Sequence, residues 1–187
     1  DESVSEGQGY GLVIAASLAG HDPAARQLFD GIYRFVRLHP SAQDPRLTRW
    51  HEPATDRRYT YAAFDGDADI AYGLLLADRQ WGSGGPIDYR AEAVRTISGL
   101  ATILGPTSGL PLPGDAVLLD GVRPDEEWTL RLSDLMPASF RAFARVTGDP
   151  RWIEAATRGQ QVALLDSPPD ARHADAAARH AAEAASG

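Results

Sequence analysis

The chain contains no cysteine, so neither a disulfide nor a thiolate-bound metal is open to it. It also lacks an excess of positive charge. Its Lys and Arg number 18 against 26 Asp and Glu, a formal net charge of −8, which argues against a nucleic-acid partner. No apolar run approaches the ~20 residues that span a bilayer, so no membrane partner is expected either. The sequence opens on Asp1 rather than Met and shows no secretory leader, from which a processed protein or a piece of something longer is expected.

What is present is a chain of 187 residues, 43% apolar, enough for one domain with a real core. Helical periodicity dominates. It predicts helices over Ser5–Leu18, Pro23–Leu38, Asp67–Trp81, Tyr89–Leu104 and Ser133–Val146, and a sixth ending near Leu165. In the second, Leu28, Ile32, Phe35 and Val36 are expected to face the core. Ser133 is the expected cap of the fifth, and "TGDPRW" reads as a helix–helix turn with Gly148 closing one helix, Asp149 capping the next and Pro150 at its first position. Between the second and third helices, residues 41–64 are polar and irregular, with "RRYTYAAF" their one strand-like piece. A second long loop, "GPTSGLPLPGDAVLLDGVRPDEEW", has room for a short hairpin. After residue 165 the chain is alanine-rich with almost no large apolar side chain, so residues 166–187 are expected to be a frayed tail. The pattern is all-α: helical hairpins with short outer turns and longer polar loops, which suits a toroid or solenoid.

Three constellations stand out for chemistry. In "SVSEGQGYGLVIAASLAG", Gly7, Gly9 and Gly11 occupy the start of a buried helix, each costing ~1 kcal/mol against alanine. Glu6 beside them is explained as a first-turn carboxylate on a helix dipole. The glycines are not, unless a neighbouring helix or a ligand must approach the backbone. "GQGYG" lacks the spacing of a dinucleotide loop. In "AAFDGDADIAYGLLLADRQWGS", Asp65, Asp67 and Asp69 alternate at a helix mouth. A calcium loop is excluded by Ile70 and Leu76 at its sixth and twelfth positions. N-capping explains one aspartate, and substrate hydroxyls such as those of a sugar would satisfy the others. The DxD of a nucleotide-sugar transferase is disfavoured because no strand pattern precedes it. Third, Trp50, Tyr59 and Tyr61 lie in a polar loop, where aromatic faces stack on sugar rings or fill a core beneath the loop. Trp81 and Trp152, at helix turns, read as packing residues. His173 and His180 share a helical face in the tail with nothing to complete a metal site, so neither a metal nor a cofactor is expected.

"VSEGQGYG" followed by "AFDGDADIAYGLLLADRQWGS" resembles glycoside hydrolase family 8, once called cellulase family D. "FDGIYRFVRLHPS", "LTRW" and "SDLMPASFRAFARVTGDPRW" extend the resemblance over roughly residues 3–160. It implies an (α/α)6 barrel of twelve helices, of which about half is present, with residues 1–165 as a partial catalytic domain. It implies inverting hydrolysis of a β-1,4-linked polysaccharide: cellulose, mixed-linkage glucan, xylan or chitosan. Glu6 would be the general acid, kept protonated by a tight site. Asp65 would line the sugar subsite beside the cleaved bond and help distort that ring, and Trp50 would stack on a sugar. Tyr10, Asp67 and Asp134 are assigned to substrate binding. A secreted or periplasmic location follows from the family. Phe64 stands where the family usually has Ser or Thr, and Gly73 where it has a small Ser or Ala, a change expected only to loosen helix packing. The base of an inverting enzyme has no motif here. Asp115, Asp125, Glu126, Glu127 and Asp134 are the in-chain carboxylates, and Asp134 is the one expected to reach the cleft. The alternative is a non-catalytic helical module that binds β-glycan or assists polysaccharide synthesis. Half a barrel would expose an apolar edge prone to self-association.

Overall fold

The computed structural model describes residues 2–119, 121–123 and 129–166, side chains included up to residue 163. Among the described residues, six α-helices carry the fold: α1 (Ser5–Ser17), α2 (Ala25–Leu38), α3 (Phe64–Trp81), α4 (Tyr89–Leu100), α5 (Pro137–Thr147) and α6 (Arg151–Asp166). They form three hairpins. The leading helices α1, α3 and α5 contact one another in sequence, and each is backed by the helix that follows it. Two two-residue strands, β1 (Ser3–Val4) and β2 (His51–Glu52), pair antiparallel and tie the start of α1 to the long loop before α3. No helix among the described residues is long and apolar enough to cross a membrane.

Helix α3 is the centre of the core. Phe64, Ala68, Ile70, Ala71, Leu74 and Ala77 are all 1% exposed or less, because α1, α4 and α5 cover it on different sides. Around it lies a continuous apolar cluster that includes Leu12, Phe29, Tyr89, Ile97, Phe140, Phe143 and Trp152. Trp152 packs against Phe140 and Phe143, with ring centroids 5.6 and 5.2 Å apart. Trp81 packs edge-on to Phe29 at 5.5 Å. Both tryptophans are packing residues.

The tight approach of α1 to α3 explains the glycines. A Cβ on Gly9 would lie 2.6 Å from the Cβ of Asp69, one on Gly66 would strike Ser5, and one on Gly73 would lie 2.9 Å from the Cβ of Leu12. Three helical glycines therefore let two backbones meet at a distance no larger residue allows. Gly73, expected to loosen the packing, instead permits it to close. Gly7 has no such duty, since its nearest neighbour would be a Val4 methyl at an ordinary 3.8 Å.

Four other expectations change. In α2 the face against the core is Ala25, Phe29, Tyr33 and Val36. Leu28 is 53% exposed, and with Ile32 and Phe35 it lines an apolar groove of about 770 Å³ between α1 and α2. Helical spacing allows either stripe, and Phe29 and Tyr33 fill more volume. "RRYTYAAF" forms a 3-10 turn over Arg57–Thr60 instead of a strand. Its polar groups bond locally, with Asp56 accepting the Arg58 amide. Helix α3 starts at Phe64, not Asp67, and places Asp65 and Asp67 in its first turn. Helix α5 starts at Pro137, preceded by a separate 3-10 turn over Leu132–Asp134. The proline suits the first helical position but would block an earlier start. The turn at Gly148 is as expected, left-handed with φ +73°, and Asp149 accepts the Arg151 amide at 3.0 Å. The second long loop holds one bridge, Leu104 with Pro111. The tail 167–187, with His173 and His180, lies outside the described residues, as do Asp125, Glu126 and Glu127.

Candidate active site

Two helix N-termini meet at one end of the hairpin stack. Glu6 lies in the first turn of α1, where the helix dipole favours a carboxylate. The Ser5 hydroxyl donates to it at 3.1 Å. The Ser5 amide donates to the carbonyl of Trp50 at 2.9 Å, so the acid and the tryptophan are fixed relative to each other through the backbone. Asp65 sits in the first turn of α3 and accepts the Gly66 amide at 3.0 Å.

The start of α1 and the segments before and beside the start of α3 border a groove of about 280 Å³, whose lining includes Glu6 but not the buried Asp65. One wall holds Trp50, Arg58 and Tyr61–Ala63, the other Pro113, Gly114, Ala116 and Val117, with Glu6 and Arg131 between them. The Trp50 indole N–H donates to the Arg58 carbonyl at 3.0 Å, and its ring meets Tyr59 edge-on at 5.2 Å. The larger groove between α1 and α2 has no ionisable lining residue, whereas the smaller one is lined by Glu6, Arg58 and Arg131.

Arg131 connects Asp65 and Asp134, and it was not among the residues the sequence singled out. Its Nε and Nη2 donate to the two oxygens of Asp134 at 2.9 and 3.1 Å. Nη2 also lies 3.7 Å from Asp65 Oδ1 and donates to the Pro113 carbonyl at 2.7 Å. Burial works against its charge, but the bond and charge of Asp134, with the charges of Asp65 and Glu6, more than offset this and raise its pKa. Asp65 therefore lies against the same guanidinium that lines the groove with Glu6. A sequence signal existed only in hindsight: Arg131 and Asp134 are spaced i, i+3.

The remaining candidates fall elsewhere. Asp67, assigned to sugar binding, is 1% exposed and accepts the Thr48 amide with both oxygens at 3.0 and 3.1 Å. Burial drives its pKa well above the usual range, and it holds a loop rather than facing the groove. Asp134 is also 1% exposed. Burial raises it to about 6 despite Arg131, and it reaches the groove only through that arginine. Asp115 is fully buried, which removes it as a base facing substrate. Asp69, one turn below Asp65, is raised to about 6 by burial and then by the Asp65 charge. Tyr10 is 58% exposed, one turn along α1 from Glu6, and is not among the groove's lining residues. With Ile14 and Leu18, 59% and 41% exposed, it forms an apolar line down α1.

Two carboxylates in the first turns of adjoining helices, an aromatic wall and an arginine thus gather at one end of this helical-hairpin fold. The chain belongs to the glycosyl hydrolases family 8, whose family model matches residues 1–175. It is 41% identical over 156 residues to an endoglucanase of Bacillus sp. strain KSM-330, covering 80% of this chain and 32% of that protein. It is 35% identical over 168 residues to a beta-glucanase of Niallia circulans, covering 81% and 37%. Among solved structures it matches the apo beta-1,3-1,4-glucanase of Paenibacillus sp. X4 with a TM-score of 0.77 and 32% identity, over 86% of this chain and 42% of that one. The fold alone is shared with Rex8A of Paenibacillus barcinonensis, at a TM-score of 0.73 and 21% identity. These neighbours are (α/α)6 barrels, and this chain spans under half of each.

Proposed function

We propose that this chain carries the acid-bearing part of an inverting endo-β-1,4-glycanase acting on a glucan. The observation that carries the reading is the convergence of Glu6, Arg131 and Trp50 on one groove, with Asp65 held against the same arginine. Glu6 gives its proton to the glycosidic oxygen as the C–O bond breaks, so that the leaving sugar departs neutral. Asp65, fixed by Arg131, takes hydrogen bonds from the ring beside that bond and favours its distorted shape. Trp50 offers an edge-braced aromatic face to a neighbouring sugar.

Inversion needs a second carboxylate ~6.5–9.5 Å from the acid, activating water on the far side of the ring. The buried Asp115 and Asp134 are unsuited to this. We place the base in the part of the relatives' length that this chain does not span. A polymeric substrate of this kind cannot enter a cell intact, which places the work outside the cytoplasm.

The test is release of reducing ends from lichenan, carboxymethyl-cellulose, xylan and chitosan by the intact protein. Glu6→Gln should reduce turnover by about 10²–10⁴-fold and leave binding to the insoluble polymer in place. Binding without turnover even when the base-bearing part is present favours the non-catalytic β-glycan module instead. An unchanged rate in Glu6→Gln overturns the assignment of the acid.

A further inference from the structure

Asp115 is a fully buried carboxylate that the proposed chemistry does not use, and it lies where three segments meet. Its Oδ2 accepts the Ser41 hydroxyl at 2.5 Å. Its Oδ1 accepts the Ala62 amide at 2.7 Å. Asp115 itself opens the 3-10 turn Asp115–Leu118, and its neighbours Gly114, Ala116 and Val117 line the groove. Ser41 and Ala62 are the two ends of the loop that carries Trp50, Arg58 and Tyr61. One carboxylate thus ties both ends of one groove wall to the base of the other.

The surrounding contacts make that tie specific. Gly114 lies directly against the Ala62 carbonyl, where no Cβ fits. The Phe64 amide donates to the Pro113 carbonyl at 3.2 Å, and the Trp50 amide to the Tyr61 carbonyl at 2.7 Å. The distance between walls is therefore set at Ala62–Ala63 against Pro113–Asp115, and Trp50 follows through Tyr61. Asp67 holds the same loop at a different point, the Thr48 amide, on the side away from the groove.

We propose that Asp115 is a positioning residue that sets the width of the glycan groove, acting through Ser41 and Ala62 without touching substrate. This rests on the glycanase reading for its functional consequence, while its structural half stands independently. Removing the carboxylate leaves the Ala62 amide without its buried acceptor and frees the Trp50–Tyr61 wall to shift. An aromatic wall that binds sugar before and during the reaction alike affects KM more than kcat.

The experiment compares Asp115→Ala, Asp115→Asn and Asp67→Ala in the intact protein, by amide hydrogen exchange and by kinetics on soluble cello-oligosaccharides. In Asp115→Ala the Ala62 amide should exchange about tenfold faster with Thr48 unchanged, and KM should rise about tenfold with kcat within about twofold. Asp115→Asn, which keeps an acceptor for Ala62, should recover most of both. Asp67→Ala should release Thr48 and leave Ala62 protected. An Ala62 amide that stays protected in Asp115→Ala overturns the proposal, as does an unchanged KM once that amide is released, or a joint release of Ala62 and Thr48. Should Asp115→Ala fail to fold, exchange at Ala62 in Asp115→Asn decides, a loss of protection there overturning it. A wild type that neither cleaves nor binds the oligosaccharides sinks the glycanase reading alone, and the exchange result still decides the clamp.

Discussion

Asp65 and Asp67 are two residues apart in the first turn of α3, yet they belong to different regions of the molecule. Asp65 faces Arg131 at the groove. Asp67 faces the other way, sealed beneath the loop it holds through Thr48. A helix turns about 100° per residue, so a two-residue step carries a side chain to nearly the opposite face. Carboxylates at alternate positions of a helix are not one cluster, although their spacing makes them look like one. Asp69 completes the lesson: it returns to the side of Asp65, one turn lower, where it packs against Gly9 of α1.

The contrast is sharpest in substitution. Asp65→Asn should lower turnover by about a hundredfold through loss of ring distortion, with thermal unfolding close to wild type. Asp67→Ala should do the reverse, costing about 1–3 kcal/mol of stability for the stranded Thr48 amide and leaving the rate of the folded fraction nearly intact. Calorimetry beside an activity assay reads both. If Asp67→Ala abolished turnover at full stability, the division of the motif into groove and scaffold would be wrong.

A substitution between the two aspartates should affect both regions. A methyl on Gly66 meets the Cβ of Ser5 at 2.7 Å and the Glu6 amide at 3.0 Å. Gly66→Ala should therefore cost about 1–3 kcal/mol by chemical denaturation, and the displaced start of α1 should carry Glu6 with it and lower the rate.

The smallest effect expected is one of pH. Asp69 is raised from 3.8 to about 6 in the fold. Between those values the folded protein binds a proton that the unfolded chain does not, so stability increases as pH falls through the window and is lost as pH rises through about 6. Asp69→Asn should remove this contribution. Its melting temperature should exceed wild type by about 3 °C at pH 8 and match it only below about pH 3.8. No difference at pH 8 would mean that the half-buried carboxylate is better solvated than its packing against Gly9 implies.

Much of the fold was legible because it rests on local rules. The apolar stripe Ile70–Ala71–Leu74–Ala77 placed α3, and Gly148–Asp149–Pro150 placed the last turn. The two helix-start motifs placed Glu6 and Asp65, and with the tryptophan upstream they pointed to the family. Legibility failed where two local solutions were equivalent. The expected face Leu28–Ile32–Phe35–Val36 was right at Val36, which is buried, and at Ile32, which packs against the core; only the partner helices chose Phe29 and Tyr33 over Leu28. The site was half legible for the same reason. Arg131 is one of many arginines, and nothing around it in sequence says that residues 113, 65 and 134 will gather about its guanidinium.

By itself, then, the sequence determined the helical periods, the Gly148–Asp149 turn, the carboxylate in the first turn of α1, and the family to which such an order of motifs belongs. All of these are encoded within a turn or two of chain, where side-chain spacing and backbone geometry are inseparable. Only the tertiary structure decided which aspartate meets the groove's arginine and which is buried as an anchor. Those outcomes depend on segments distant in the chain, such as those of Asp65 and Arg131, meeting in space, where burial and charge, unlike spacing, are properties of the neighbours.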